Sequence, residues 1–111
     1  MIVSLGKVTV TTAGTPVRAT STQSVPGTQI SCQSIAFQAL SSNTGKIYIG
    51  TSSSMSKSTY AGVVAVLAVP ATNIIPGYNA SQLSVAGLNV ADFFLDSDNN
   101  GEGVIVSYAV A

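Results

Sequence analysis

The chain has 111 residues, 46% of them hydrophobic and 7% charged, with four basic and four acidic side chains and a formal net charge of zero. That length suits one domain around one core, and ordinary hydrophobicity without net charge excludes the disordered class. Four cations in all exclude nucleic-acid recognition through the phosphates, so the polarity of this chain rests on 27 Ser and Thr residues.

In chain order, Lys7 to Thr12 alternates apolar with β-branched polar residues, the pattern of a half-buried strand. Residues 1–12 are expected to form an N-terminal arm or edge strand ahead of a β-sandwich over 13–111. Ala13-Gly14-Thr15-Pro16 breaks the pattern, and Pro16 to Thr20 can resume it as an edge segment. Ser21 to Thr28, with Pro26-Gly27, is a loop by composition. Ile30 to Leu40 is the longest strand candidate. Its apolar phase is even at Ile30 and Cys32 and odd at Ile35, Phe37 and Ala39, which places a β-bulge near Gln33-Ser34. Ser42-Asn43-Thr44-Gly45 reads as a hairpin-type turn into the strand Lys46 to Gly50.

Thr51 to Thr59 is a Ser-rich loop. Gly62 to Val69, closed by Pro70, reads as a strand buried on both faces, because β-branching favours a strand over a short helix. Ile75-Pro76-Gly77-Tyr78 is a turn with proline and glycine at its centre. Leu83 to Leu95 holds one or two strands, with a bend at Gly87. Asp96 to Gly103 is a tight loop, and Val104 to Val110 closes the sequence as a strand. About eight short antiparallel strands and no substantial helix describe an all-β domain, a β-sandwich or jelly roll. No internal repeat and no second domain boundary interrupt it.

The inventory for chemistry is short. The sequence has no His, which removes the usual general base and the commonest metal ligand. Cys32 stands alone in an alternating apolar context, so it reads as a small core residue. It can form no intrachain disulfide and lacks a base partner. No catalytic or cofactor-binding residue is expected, and no cofactor. Met1 to Lys7 lacks the pattern of a signal peptide, and no apolar run approaches the ~20 residues that span a bilayer. A soluble protein made in the cytoplasm is expected, with no membrane partner and no nucleic acid.

Asp96-Ser97-Asp98-Asn99-Asn100-Gly101 matches the first half of a calcium loop, with oxygen donors at Asp96, Asp98 and Asn100 and glycine at the sixth position. The twelfth position should be Glu and is Ser107, and strand patterns flank the loop. A hairpin turn at Asn100-Gly101 is therefore preferred to a weak metal site. Asp92 and Asp96 would share a strand face, but two acids do glycosidase chemistry only in an aromatic-lined cleft. They read better as solvated strand-end carboxylates. Gly45-Lys46 is not a phosphate loop. Asn79-Ala80-Ser81 fits a glycosylation acceptor that has no meaning without secretion.

A sandwich with eight charges lacks much of what keeps edges and faces from associating. A subunit of an assembly is the reading that follows, a homo-oligomer meeting through uncharged β surface. Met1, Ile2, Val3, Leu5, Val8 and Val10 are the candidate interaction residues, by strand addition to a neighbour.

Taken in order, Gly14 to Val17, Ser34 to Ala39, Asn43 to Gly50, Pro76-Gly77, Asp92 to Asp96 and Asn100 to Val104 resemble a group of small virion proteins of tailed bacteriophages. The resemblance covers about residues 8 to 110. It implies a β-sandwich or jelly-roll subunit, often a capsid decoration (cement) protein that acts as a trimer. On that reading the partners are other copies of the chain and the major capsid protein, and the location is the capsid surface of the virion. The Ser-rich stretch 51–59 and the valine-rich run 63–69 are longer than the usual pattern. The competing class is a tail or fibre module that binds a host glycan or receptor, with the Asp96–Glu102 loop and Tyr48, Tyr60 or Tyr78 as contacts.

Overall fold

The computed structural model describes residues 2–19, 31–40, 42–67 and 80–109. Their strands are β1 (Ile2–Val10), β2 (Val17–Arg18), β3 (Ser31–Ala39), β4 (Ile47–Gly50), β5 (Val63–Leu67), β6 (Ala80–Asn89), β7 (Phe94–Ser97) and β8 (Glu102–Ala109). One 3-10 turn, Val90–Asp92, precedes β7. Among the described residues no helix is long and apolar enough to cross a membrane.

The strands form two four-stranded antiparallel sheets, ordered β1-β8-β3-β6 and β2-β7-β4-β5. Four nested pairs organise this order: β1 with β8, β2 with β7, β3 with β6 and β4 with β5. It is one long hairpin rolled up, so that β8 meets β3 and β7 meets β4 to close the sheets. This strand order is the jelly roll.

Alternation in the sequence sets which face is buried. Val8 and Val10, Ile35, Phe37 and Ala39, and Val104 and Val106 point inward from the first sheet. Ile47, Ile49, Leu67 and Leu95 meet them from the second. The Phe37 ring packs against Phe93 at 5.8 Å between centroids, tilted by 59°, within the range favoured by aromatic pairs.

Of the arm or edge strand expected over residues 1–12, the structure has the edge strand over 2–10: β1 pairs with β8 from Ile2 opposite Ala109 to Val10 opposite Glu102. β1 is the edge strand of the first sheet and supplies part of the core. Other expectations change. The β3 register does shift between Cys32 and Ser34, but the extra residues lie in β6, where Ser84 to Leu88 faces Ser34 to Cys32. Gly87 falls inside that irregular stretch. Ile30 lies outside the described residues, as do the Pro26-Gly27 and Pro76-Gly77 turns. The valine-rich strand β5 is buried on one face only, because each sheet of a two-layer sandwich turns just one face to the core: Leu67 points in with Ile47, and Val64 and Val66 are left exposed on the outer face.

Neither of the two Asn/Gly turns is a hairpin. β3 and β4 belong to different sheets, and so do β7 and β8. Both turns therefore carry the chain across the sandwich.

Candidate functional site

The acidic loop lies between β7 and β8, where residues 11–16, 42–46 and 98–101 come together. Asp96 is only 1% exposed. Its Oδ1 accepts from the Gly14 N–H at 2.9 Å and the Ser97 N–H at 2.8 Å. Two residues on, Asp98 accepts from the Lys46 N–H through Oδ2 and from the Tyr48 hydroxyl through Oδ1, both at 3.0 Å. Asn100 Oδ1 accepts from the Ala13 N–H at 2.8 Å. Gly101, at φ +79°, turns the chain so that its own N–H donates to the Val10 carbonyl at 2.8 Å.

Glu102, 8% exposed, completes the set. Its Oε2 accepts from the Thr44 N–H, and its Oε1 from the Gly45 N–H at 2.8 Å and from Asn99 Nδ2 at 3.3 Å. Asn43 then clamps the next residue at both ends of its peptide unit. Its Nδ2 donates to the Gly103 carbonyl at 2.8 Å and its Oδ1 accepts from the Gly103 N–H at 3.1 Å. Gly45 must be glycine for the approach to close, because a Cβ there would sit 2.6 Å from Asp98 Cβ and 2.7 Å from Asn99 Nδ2.

This geometry turns the oxygens outward onto two other segments of backbone, Ala13-Gly14 and Thr44 to Lys46, rather than inward onto one centre. Asp96, Asp98 and Asn100, the candidate metal ligands, each hold an N–H of a different residue. Among the described residues no three His, Cys, Asp or Glu side chains are grouped to hold a metal. Asp92 and Asp96 do not share a strand face either. Asp92 is exposed on the 3-10 turn, whereas Asp96 is buried within β7. The solvated-carboxylate reading is corrected for Asp96.

Tyr48 is drawn into the same network. Burial of the phenol, followed by its hydrogen bond to Asp98, pushes its pKa up to about 12 from the usual 10.0. The Ser-rich segment 51–62 returns toward this region. Lys57 Nζ donates to the Ser97 carbonyl at 2.7 Å, and Met55 is buried against Gly50.

The candidate interaction residues divide. Val8 and Val10 are core residues and cannot reach a neighbour, which corrects that expectation. Val3 and Leu5 are half-buried, Ile2 is exposed, and Met1 lies outside the described residues. A shallow groove of about 170 Å³ crosses the same sheet, lined by Ile2, Ser34, Ala36, Ser107, Tyr108 and Ala109. Of the tyrosines proposed as glycan contacts, Tyr48 is buried and Tyr78 lies outside the described residues. Tyr60 is 56% exposed and held at φ +61°.

Asn43, Gly45 and Glu102 escape a motif reading of the sequence. The available signal is arithmetic. Three of the four acids fall between positions 96 and 102, while the four cations are scattered at 7, 18, 46 and 57. Where such a cluster is buried without cations beside it, backbone donors are what remains to satisfy it. The chain matches no known family model, curated protein or solved structure.

Proposed function

We propose that the chain is a structural subunit of a tailed-phage virion, a decoration protein that works by adhesion to copies of itself and to the major capsid protein. The observation that carries this reading is the outer face of the first sheet. At β3 and β8 it offers the uncharged Ser34, Ala36, Gln38, Ile105, Ser107 and Ala109, and β1 adds one charge, Lys7, opposite Ile105. Ordinary soluble surfaces are about a quarter charged or more, so a face of this composition fits a covered surface.

The acidic loop agrees with a mechanical role, since its oxygens tie three connections together. Jelly rolls serve both viral capsids and lectins, so the fold does not choose between assembly and glycan binding. The exposed Tyr60, held at a backbone angle that costs about 1–3 kcal/mol for a residue other than glycine, favours the glycan module as a second reading. The test is sedimentation. At tens of micromolar the protein should run as a trimer and should pellet with shells of its phage's major capsid protein. A monomer that stays in the supernatant, together with binding on a glycan array, would replace assembly with the second reading.

A further inference from the structure

Asparagine is chemically labile, and its deamidation is an attack within the chain. The backbone nitrogen of the next residue bonds to the side-chain amide carbon, ammonia leaves, and water opens the resulting succinimide to aspartate or isoaspartate. Glycine in the second place leaves the nitrogen most accessible, because it has no Cβ to crowd the approach. Asn100 is the one asparagine in this sequence that glycine follows. Water reaches the pair, since Asn100 and Gly101 are both exposed and a Cβ on Gly101 would meet nothing within 4 Å.

Both reacting groups are held by the end of β1 and the residues after it. Asn100 Oδ1 accepts from the Ala13 N–H, and the Gly101 N–H donates to the Val10 carbonyl, each at 2.8 Å. The two bonds act differently. A donor on Oδ1 draws electron density from the amide carbon and favours attack there. The Gly101 nitrogen, however, must give up its proton to attack, and in the fold that proton is committed to Val10. Val10 is a core residue paired with Glu102 at the last rung of β1, so the block lasts only while that rung is closed.

We infer that Asn100-Gly101 is a latent self-modification site, latched by the Val10 carbonyl and released when the end of β1 opens. The locally opened chain is the reactive state. In it the bond from Gly101 nitrogen to Asn100 Cγ forms as the bond from Cγ to the amide nitrogen breaks, and the Gly101 proton leaves with ammonia. Water then adds to one of the two imide carbonyls, so no oxidant or other co-reactant is needed. The product sets four basic side chains against one acid more than the original four, and the net charge falls from zero to minus one. The new carboxylate stands two residues from both Asp98 and Glu102. In isoaspartate the backbone runs through the former side chain and gains a methylene, which displaces Gly101 from Val10 and Glu102 from Gly45. The change is irreversible and loosens the crossover in which it occurs.

The experiment holds the full chain in mildly alkaline buffer at physiological temperature, with and without guanidinium chloride. Peptide mapping that separates aspartate from isoaspartate follows the loss of amide at Asn100. The native chain should react about tenfold or more slowly than the denatured one, because the population of the opened rung sets the ratio. Val10→Ala removes core packing beside the latch and should react several-fold faster than the native wild type, whereas Val3→Ala, near the far end of β1, should keep the wild-type rate. In denaturant, Gly101→Ala should slow the reaction, because a Cβ crowds the nitrogen. If circular dichroism finds Val10→Ala unfolded, the ratio of native to denatured wild type decides alone. Equal rates for those two, or a folded Val10→Ala no faster than the wild type, overturns the latch. Denatured chains that lose amide at another asparagine before Asn100, or that ignore Gly101→Ala, overturn the site.

Discussion

Glu102 sits among backbone N–H groups instead of beside a cation, and so its removal leaves donors rather than a charge. Truncation to Ala strips the acceptors from the exposed Thr44 amide, which water can satisfy, and from the buried Gly45 amide, and a stranded buried donor costs about 1–3 kcal/mol. Urea denaturation should find Glu102→Ala destabilised by roughly 1–3 kcal/mol, and Glu102→Gln by less, because one oxygen survives. Equal losses would mean that the charge matters rather than the acceptors. Tyr48 predicts behaviour in alkali. Its folded pKa, about 12, lies above the ordinary 10.0, so its contribution is complete below pH 10 and is lost as pH rises through 12. Tyr48→Phe cannot ionise, and its unfolding midpoint should fall less steeply than the wild type's between pH 9 and about 12. Parallel curves would exclude Tyr48 as the source.

At the scale of elements, the strands were legible and their partners were not. The two-residue period at Ile35, Phe37 and Ala39, and again at Ile47 and Ile49, marks the inward face because side chains alternate across a strand. Asn43-Thr44-Gly45 and Asn100-Gly101 mark turns for the same local reason. A turn's chemistry fixes its backbone angles but not the sheet its second strand will join. Every connection except the one from β4 to β5 passes between sheets, which is why two turns read as hairpins became crossovers. The acids were visible and their burial was hidden, because Gly14 and Gly45 stand 82 and 57 positions from the carboxylates they meet. Two predictions belong here. A Cβ at Gly101 meets nothing within 4 Å, so Gly101→Val should cost about 1 kcal/mol or more from its positive φ alone. No loss in a thermal melt would remove the left-handed turn. Deleting residues 2–10 should abolish the cooperative melt, because Val8 and Val10 leave the core with it. A truncated chain that still melts cooperatively would make β1 dispensable.

For the whole molecule, a radius of gyration of 13.1 Å matches the ~13 Å expected of a compact chain this long. Its surface thus has to meet water or a partner with very few charges. If association is coupled to folding, the thermal midpoint should climb as protein concentration is raised from about 1 to 100 µM. A midpoint independent of concentration would mean that the subunit is stable alone and gains nothing from its neighbours.

The nesting of β1 against β8 also sets how the molecule bears load. Ile2 and Ala109 face each other across one rung of that ladder. Tension applied between those two points opens rungs one after another, like a zip, and meets little resistance. Tension entering through Ser97 and Glu102 at the opposite end meets clamps at Asn43, Gly45 and Gly14 together. The sandwich is therefore mechanically anisotropic. A particle that pulled on it would do best to grip the end where the carboxylates hold the crossovers.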